Sequence, residues 1–405
     1  MAVGLSQPEK LHPVKGVKLA SCCCGIKQNS AKHDLVLLEL NEQSTVAAVF
    51  TKNKFCAAPV TVAKDHLEQS STRYLLINSG NANAGTGVQG ITSSVSTCQS
   101  VAKFAGVNES TVIPFSTGVI GAQLPFGLIN SAIPELIDQL KTVDAEDKWL
   151  AAAIGIMTTD TIPKAVSRQI DIDGKTVTIT GISKGSGMIK PDMATMLAYV
   201  ATDVSITQQE LQICLNQVVN KSFNSITVDG DTSTNDACVL IATGSSQVNV
   251  DASNKLFMQS LTDVFISLAQ SIVRDGEGAT KFIQIKVNSA KSVSDARELA
   301  YTIAHSPLVK TAMFASDANW GRILAAIGRA PVELNIDKVE LYLGDVCLIK
   351  DGLPDEGYSE EKGQHEMEKQ DISIRVELNE GNQGATIWTT DLSYDYVKIN
   401  AEYRS

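Results

Sequence analysis

Midway through the chain a loop with two glycines and a proline, Lys184-Gly-Ser-Gly-Met-Ile-Lys-Pro-Asp-Met-Ala194, runs into Thr195 and a stretch of strand-forming residues ending at Asp203. A threonine hydroxyl is a weak nucleophile unless a base sits beside it. Cutting the chain immediately before the threonine turns its own α-amine into that base. Such an amine titrates near about 7.7–8.0, so a large neutral fraction is available near neutral pH. The β-branched side chain is stiff at χ1, which holds the hydroxyl in one aim once the strand is packed. The pattern supports a precursor that cuts itself between Ala194 and Thr195 and uses the new N-terminus as its nucleophile. The same residues also fit a plain loop entering a core strand, because Gly-Ser-Gly and Thr favour those states.

A second candidate lies in Pro114-Phe-Ser-Thr-Gly-Val-Ile-Gly121. Acyl transfer needs donors aimed at the oxygen of its tetrahedral intermediate, and a glycine such as Gly118 lets its backbone N–H come close. The hydroxyl of Thr117 offers a second donor. A simple strand-to-turn junction has the same composition. Two other patterns carry no function. Gly85-Thr-Gly87-Val-Gln-Gly90 spells a dinucleotide motif, but it starts too far beyond the preceding strand. Asp229-Gly-Asp231 with Asp236 hints at calcium, yet Thr234 and Leu240 stand where an EF-hand needs Gly and Glu.

These groups need elements to hold them. Tyr74–Ile77 reads as a buried strand, with helices expected over Ile91–Ala105 and Ile129–Leu140, the second containing Pro134 in its first turns. Ile170–Ile179 alternates apolar and polar residues around Asp173-Gly174, a strong hairpin signal. Helices follow over Gln208–Val219 and Lys255–Val273, the latter with Phe257, Leu261, Val264, Phe265, Leu268 and Ile272 on one face. Beyond them come a strand at Phe282–Val287, helices near Ser294–Ala304 and Trp320–Ala330, and strands near Val339–Leu343, Ile372–Leu378 and Ala385–Thr390. The charged stretch Pro354–Gln370 reads as a solvated loop or an exposed helix. The alternation of strands and helices gives an α/β class. A division at residues 1–284 and 285–405 suits the pattern, with no linker to mark it.

At 405 residues the chain can hold two domains. With 43% hydrophobic and 20% charged residues it has the balance of an ordinary globular protein, and a net charge of −11 argues against nucleic-acid or anionic-membrane partners. No signal-peptide core and no uninterrupted apolar run of membrane-spanning length is evident, so cytoplasmic residence is the expectation. The eight cysteines include Cys22-Cys23-Cys24 but no C-x-x-C pair, and the five histidines are scattered. Free, mostly buried thiols are expected, with no metal site and no histidine triad.

The block Lys-Pro-Asp-Met-Ala-Thr-Met-Leu around Thr195 closely resembles the processing site of the ornithine acetyltransferase (glutamate N-acetyltransferase) family. Val49-Phe-Thr-Lys-Asn53, Asn78-Ser-Gly-Asn-Ala-Asn-Ala84, Ser116–Gly121, Ser222–Asp231, Arg274-Asp-Gly-Glu-Gly-Ala-Thr280 and Ser316-Asp-Ala-Asn-Trp-Gly-Arg322 resemble further blocks of that family, in its order. The resemblance implies an αββα layered nucleophile domain with a smaller C-terminal α/β domain. It implies an acetyl group moved from N-acetylornithine to glutamate, in ping-pong fashion, through acetyl-Thr195. Thr117 and Gly118 correspond to its oxyanion hole. Thr158, Lys184, Thr195, Glu277, Asn400 and Ser405 correspond to substrate-binding positions. Lys184 is a natural counter-charge for a substrate carboxylate, and Glu277, flanked by Gly276 and Gly278, suits a substrate ammonium.

The family needs no bound cofactor, takes acetyl-coenzyme A as an additional donor in some members, and commonly assembles as two copies of each cleaved chain. One tension follows: a pocket with Glu277 must also accept the anionic side chain of glutamate. Two rivals stand beside this reading. An N-terminal-nucleophile aminopeptidase or amidohydrolase would use the same threonine but give the acyl group to water, and a non-catalytic binding protein would keep the Ala194–Thr195 bond intact.

Overall fold

The computed structural model describes residues 2–27, 32–141, 147–190 and 196–402. The chain divides into two compact units. The first holds Ser6–Asn224 and Asp231–Ile272; the second holds Ser225–Gly230 and the chain from Val273 onward, with the first few residues. The expected boundary at residue 284 falls inside a strand that pairs on both sides with strands of the second unit, so the division comes earlier.

The first unit contains strands β1 (Val17–Cys22), β2 (Leu35–Leu40), β3 (Thr45–Phe50), β4 (Tyr74–Asn78), β5 (Val112–Ser116), β6 (Lys164–Ile172), β7 (Lys175–Lys184), β8 (Leu197–Thr202) and β9 (Ala237–Ala242). Its helices are α1 (Ala58–Gln69), α2 (Gly87–Ala105), α3 (Phe126–Gln139), α4 (Asp147–Gly155), α5 (Gln208–Lys221) and α6 (Lys255–Arg274). One sheet runs β1-β2-β4-β5, the other β3-β9-β8-β7-β6. Successive strand residues point to opposite faces, and the burial follows this period. Val36, Leu38 and Leu40 of β2 meet Leu197, Tyr199 and Ala201 of β8 between the sheets, while Leu35 and Leu37 face α2 and α3 on the other side. Phe115 and Tyr199 close that inner layer edge to face, with ring centres 5.2 Å apart. On the outer face of the second sheet, Leu268 of α6 lies 2.9 Å from where a side chain on Gly181 would begin. The four layers are therefore αββα, as the resemblance implied.

Local signals explain several elements. Asp173 and Gly174 have φ of +53° and +78°, and Ile172 pairs directly with Lys175, so the hairpin β6–β7 closes in a tight type I′ turn. Pro134 lies well inside α3 rather than near its start, because the helix begins earlier, at Phe126. The helix α6 is long and apolar enough to cross a membrane by composition, yet Phe257, Leu261, Val264, Phe265, Leu268 and Ile272 are all buried in the protein.

The second unit is built on a sheet of β10 (Phe282–Ala290), β11 (Glu340–Leu343), β12 (Val346–Lys350), β13 (Leu353–Pro354), β14 (Asp371–Glu377) and β15 (Gln383–Thr390), ordered β13-β12-β11-β14-β10-β15. Its helices are α7 (Val293–Ala304), α8 (Pro307–Phe314), α9 (Trp320–Gly328), α10 (Glu360–Met367) and α11 (Tyr394–Ala401). Ile283, Ile285 and Val287 of β10 join Leu299, Ile303 and Ile323 in its core. The charged stretch 354–370 forms the exposed helix α10, anchored by a buried Met367.

All eight cysteines are free. Burial pushes the Cys22 thiol up to about 12 and Cys214 up to about 11, and it raises Cys98 and Cys238 strongly as well. In the unfolded chain such thiols ionise near about 8.5. Above that pH the unfolded state releases protons that the folded state keeps, so stability is complete below about pH 8.5 and falls as the pH climbs. We expect the melting midpoint to hold from about pH 7 to 8.5 and to drop by about pH 10. The drop should shrink when Cys98 and Cys238 are both replaced by alanine. A flat profile up to about pH 10.5 contradicts this account.

Candidate active site

In the first unit the site grows from strand ends. The strand β5 stops at Ser116, so Thr117 and Gly118 begin the loop that leaves the sheet. Thr117 N–H donates to the Asn78 carbonyl at 3.0 Å. Gly118 has φ +131°, and a Cβ there would lie 2.5 Å from the carbonyl carbon of Gly80 and 2.7 Å from the nitrogen of Asn81. Only glycine permits both this dihedral and this approach. Lys184 ends β7 and is 9% exposed; its Nζ donates to Thr117 Oγ1 at 3.3 Å. A hydroxyl oxygen that accepts from an ammonium keeps its own proton to give elsewhere. That makes the Thr117 hydroxyl a polarised donor, the kind an oxyanion requires. Leu197, two residues after Thr195 in the chain, pairs with Lys184 across β7 and β8.

Asp160 ties these pieces together. Its Oδ1 accepts from Gly185 N–H at 2.7 Å and from Lys164 Nζ at 2.6 Å, and its Oδ2 accepts from Thr158 N–H at 2.9 Å. Neither side chain of the Asp160–Lys164 pair reaches solvent. Burial alone would raise this carboxyl, but the Lys164 and Lys184 ammoniums and the hydrogen bonds hold it well below the usual carboxylate range. Lys27 supports the same loop from behind, donating from Nζ to the Met157 carbonyl at 2.8 Å and the His33 carbonyl at 3.2 Å. Burial pulls its ammonium below the ordinary lysine value, against the opposing pull of Asp34 and Asp160.

In the second unit Glu277 is 9% exposed between its two glycines. Gly278 has φ +68°, and a Cβ on it would stand 2.4 Å from the Tyr396 nitrogen, so the loop lies directly on the first turn of α11. Asn400, one turn further along α11, donates from Nδ2 to Glu277 Oε2 at 2.9 Å and to the Tyr396 carbonyl at 3.0 Å. The structure thus brings Thr117, Gly118, Thr158 and Lys184 together in one unit, and Glu277 with Asn400 in the other. Ala194, Thr195 and Ser405 lie outside the described residues.

A sequence model of the ArgJ family matches residues 18–405. The chain belongs to the ArgJ family. It is 51% identical over 411 residues to the arginine biosynthesis bifunctional protein ArgJ of Pseudomonas syringae pv. tomato, covering 100% of both chains. It is 51% identical over 412 residues to the protein of that name from Pseudomonas fluorescens, again with 100% of each covered. Among solved structures, the Bacillus halodurans arginine biosynthesis bifunctional protein ArgJ is 41% identical, with a TM-score of 0.50, over 52% of this chain and 100% of that one.

In this ArgJ chain several residues around the site escaped sequence reasoning. Asp160 carried no motif signal beyond its closeness to Thr158. The asparagines of Asn78–Ala84 entered only as a block resembling the family, with no role of their own, whereas here they are wiring. Asn78 donates from Nδ2 to Ser116 Oγ at 2.6 Å, Asn81 donates to the carbonyls of Ala122 and Gln123, and Asn83 donates to the Gly90 carbonyl. Asn235, in the bend just ahead of β9, donates to the Ser116 carbonyl at 2.9 Å. The one usable signal was the density of asparagine between β4 and the next helix, which exceeds what a turn needs.

Proposed function

We propose that this ArgJ-family enzyme, an acetyltransferase of arginine biosynthesis, works through Thr195 after cutting its own chain. The Thr195 hydroxyl attacks the Ala194 carbonyl, the peptide becomes an ester, and water releases fragments of 194 and 211 residues. The freed α-amine then takes the proton of the Thr195 hydroxyl as that oxygen attacks the acetyl carbon of N-acetylornithine. Thr117 and Gly118 hold the negative oxygen of the intermediate. Ornithine leaves with the returned proton, and the amine of glutamate attacks acetyl-Thr195 to give N-acetylglutamate.

Lys184 and Thr158 serve the substrate carboxylate end. Glu277 and Asn400 receive the side-chain ammonium of ornithine, and Ser405 closes the site. The cycle requires no bound cofactor, and acetyl-coenzyme A is a second candidate donor. The same reading carries with it cytoplasmic residence and an assembly of two copies of each fragment.

The observation that carries this proposal is the Lys184–Thr117 contact beside Gly118, which supplies a polarised donor next to the strand that follows Thr195. Further support comes from the solved Bacillus halodurans chain. Matched over its whole length, it spans 52% of this one, the share a fragment of 211 residues has. A denaturing gel of the purified protein tests the first step: two bands are expected for the parent and a single band for Thr195→Ala. Two bands from Thr195→Ala refute self-cleavage. N-acetylornithine supplied with and without glutamate separates transfer from hydrolysis, since a hydrolase consumes it without an acceptor.

A further inference from the structure

The loop carrying Glu277 is held by a corner of the chain that follows β15. Asp391, 3% exposed, accepts at Oδ1 from the N–H groups of Thr280 and Lys281, both at 2.8 Å, and at Oδ2 from the Thr280 hydroxyl at 2.6 Å. Two residues on, Ser393 donates from Oγ to the Gly278 carbonyl at 2.6 Å and accepts from the Tyr396 N–H at 3.4 Å, which caps α11. The corner is itself anchored. Lys310, on α8 and 5% exposed, donates from Nζ to Thr389 Oγ1 at 3.0 Å and to the Thr390 carbonyl, and its own carbonyl accepts from Leu392 N–H at 3.2 Å. One hydroxyl therefore fixes both the Glu277 loop and the helix that presents Asn400.

We propose that Asp391 and Ser393 are positioning residues that set the Glu277 carboxylate against Asn400, and so determine how strongly a donor with a terminal ammonium is preferred over one without. This rests on the reading above, in which Glu277 receives the ornithine ammonium. The corner touches no substrate. It acts by removing freedom from a glycine-flanked loop that would otherwise sample many conformations, and small misplacements of a binding group are costly.

The test compares N-acetylornithine with N-acetylnorvaline, which has the same carbon chain and lacks the amine. Both are given to the full-length, self-processed enzyme with glutamate as acceptor. The parent should favour N-acetylornithine in kcat/KM. In Ser393→Ala that preference should fall about tenfold through KM for N-acetylornithine, with N-acetylnorvaline kinetics unchanged. Ser393→Thr, which keeps the hydroxyl, should restore the preference, and Asp391→Asn should move in the same direction as Ser393→Ala. An equal loss on both donors, or an unchanged preference in Ser393→Ala, overturns the positioning role. The underlying reading fails separately: the parent would then show no preference, or Glu277→Ala would keep it.

Discussion

Replacing Asp160 by alanine is expected to lower stability by about 3–5 kcal/mol, because it strands a charged lysine in a site without exposed surface. Lys164 has its carboxylate partner at 2.6 Å and no solvent to fall back on. The same substitution releases the Thr158 and Gly185 N–H groups, so the loop before β6 and the turn after Lys184 lose their common tether. Acetyl transfer should fall by more than the loss of folded protein explains. A thermal melt and a steady-state assay on one preparation separate the two effects. Asp160→Asn should be less damaging to the fold, since an amide oxygen still accepts, while leaving Lys164 uncompensated. The pH dependence has a definite sign. A carboxyl held below its ordinary value contributes stability that is present above about pH 4 and is lost as the pH falls. A parent-like melting midpoint in Asp160→Ala would contradict the role assigned to this carboxylate.

A comparable loss, this time in rate, is expected from Gly118→Ala. The added methyl would meet the backbone of Gly80 and Asn81 at 2.5–2.7 Å, and backbone cannot step aside as a flexible side chain can. The dihedral of +131° is also closed to alanine. The loop must shift, and the donors it presents shift with it. Losing one donor of an oxyanion hole costs about 2.7–4 kcal/mol of transition-state stabilisation, or about 10²–10³ in kcat. Thr117→Ala should approach the same loss with less disturbance to the fold, and Thr117→Ser should recover much of it. Single-turnover acetylation of the enzyme by N-acetylornithine measures the step directly. A rate within a few-fold of the parent in both Gly118→Ala and Thr117→Ala would remove these residues from the mechanism.

Much of the fold was legible in the sequence wherever the signal was local. The Asp173-Gly174 turn, the one-sided apolar face of α6 and the strand at Tyr74–Ile77 are written in adjacent residues, and each forms as expected. Glu277 and Asn400 each drew notice only through family resemblance, and their hydrogen bond across 123 positions had no sequence signal. What stayed hidden depends on distant contacts between ordinary residue types. Asp160 looks like any loop aspartate until Gly185, 25 residues on, donates to it. Asn235 looks like a turn residue until its amide meets Ser116, 119 positions away. The boundary between the units was misplaced for a similar reason. Nothing in Phe282–Val287 announces that its partners are Asp371–Val376 and Ala385–Thr390.

The strand order of the five-stranded sheet has one more implication. Reading β3-β9-β8-β7-β6, the strands that follow Thr195 sit between strands that precede it, with β3 on one flank and β7 on the other. If the chain is severed ahead of β8 as proposed, its two parts would be interleaved like clasped fingers. Pulling its halves apart means tearing two ladders of backbone bonds and opening the layer where Phe115 meets Tyr199. Each half would keep one sheet to itself, β1-β2-β4-β5 ahead of the cut and β10 to β15 beyond it, but the five-stranded sheet would exist only while both halves stay joined.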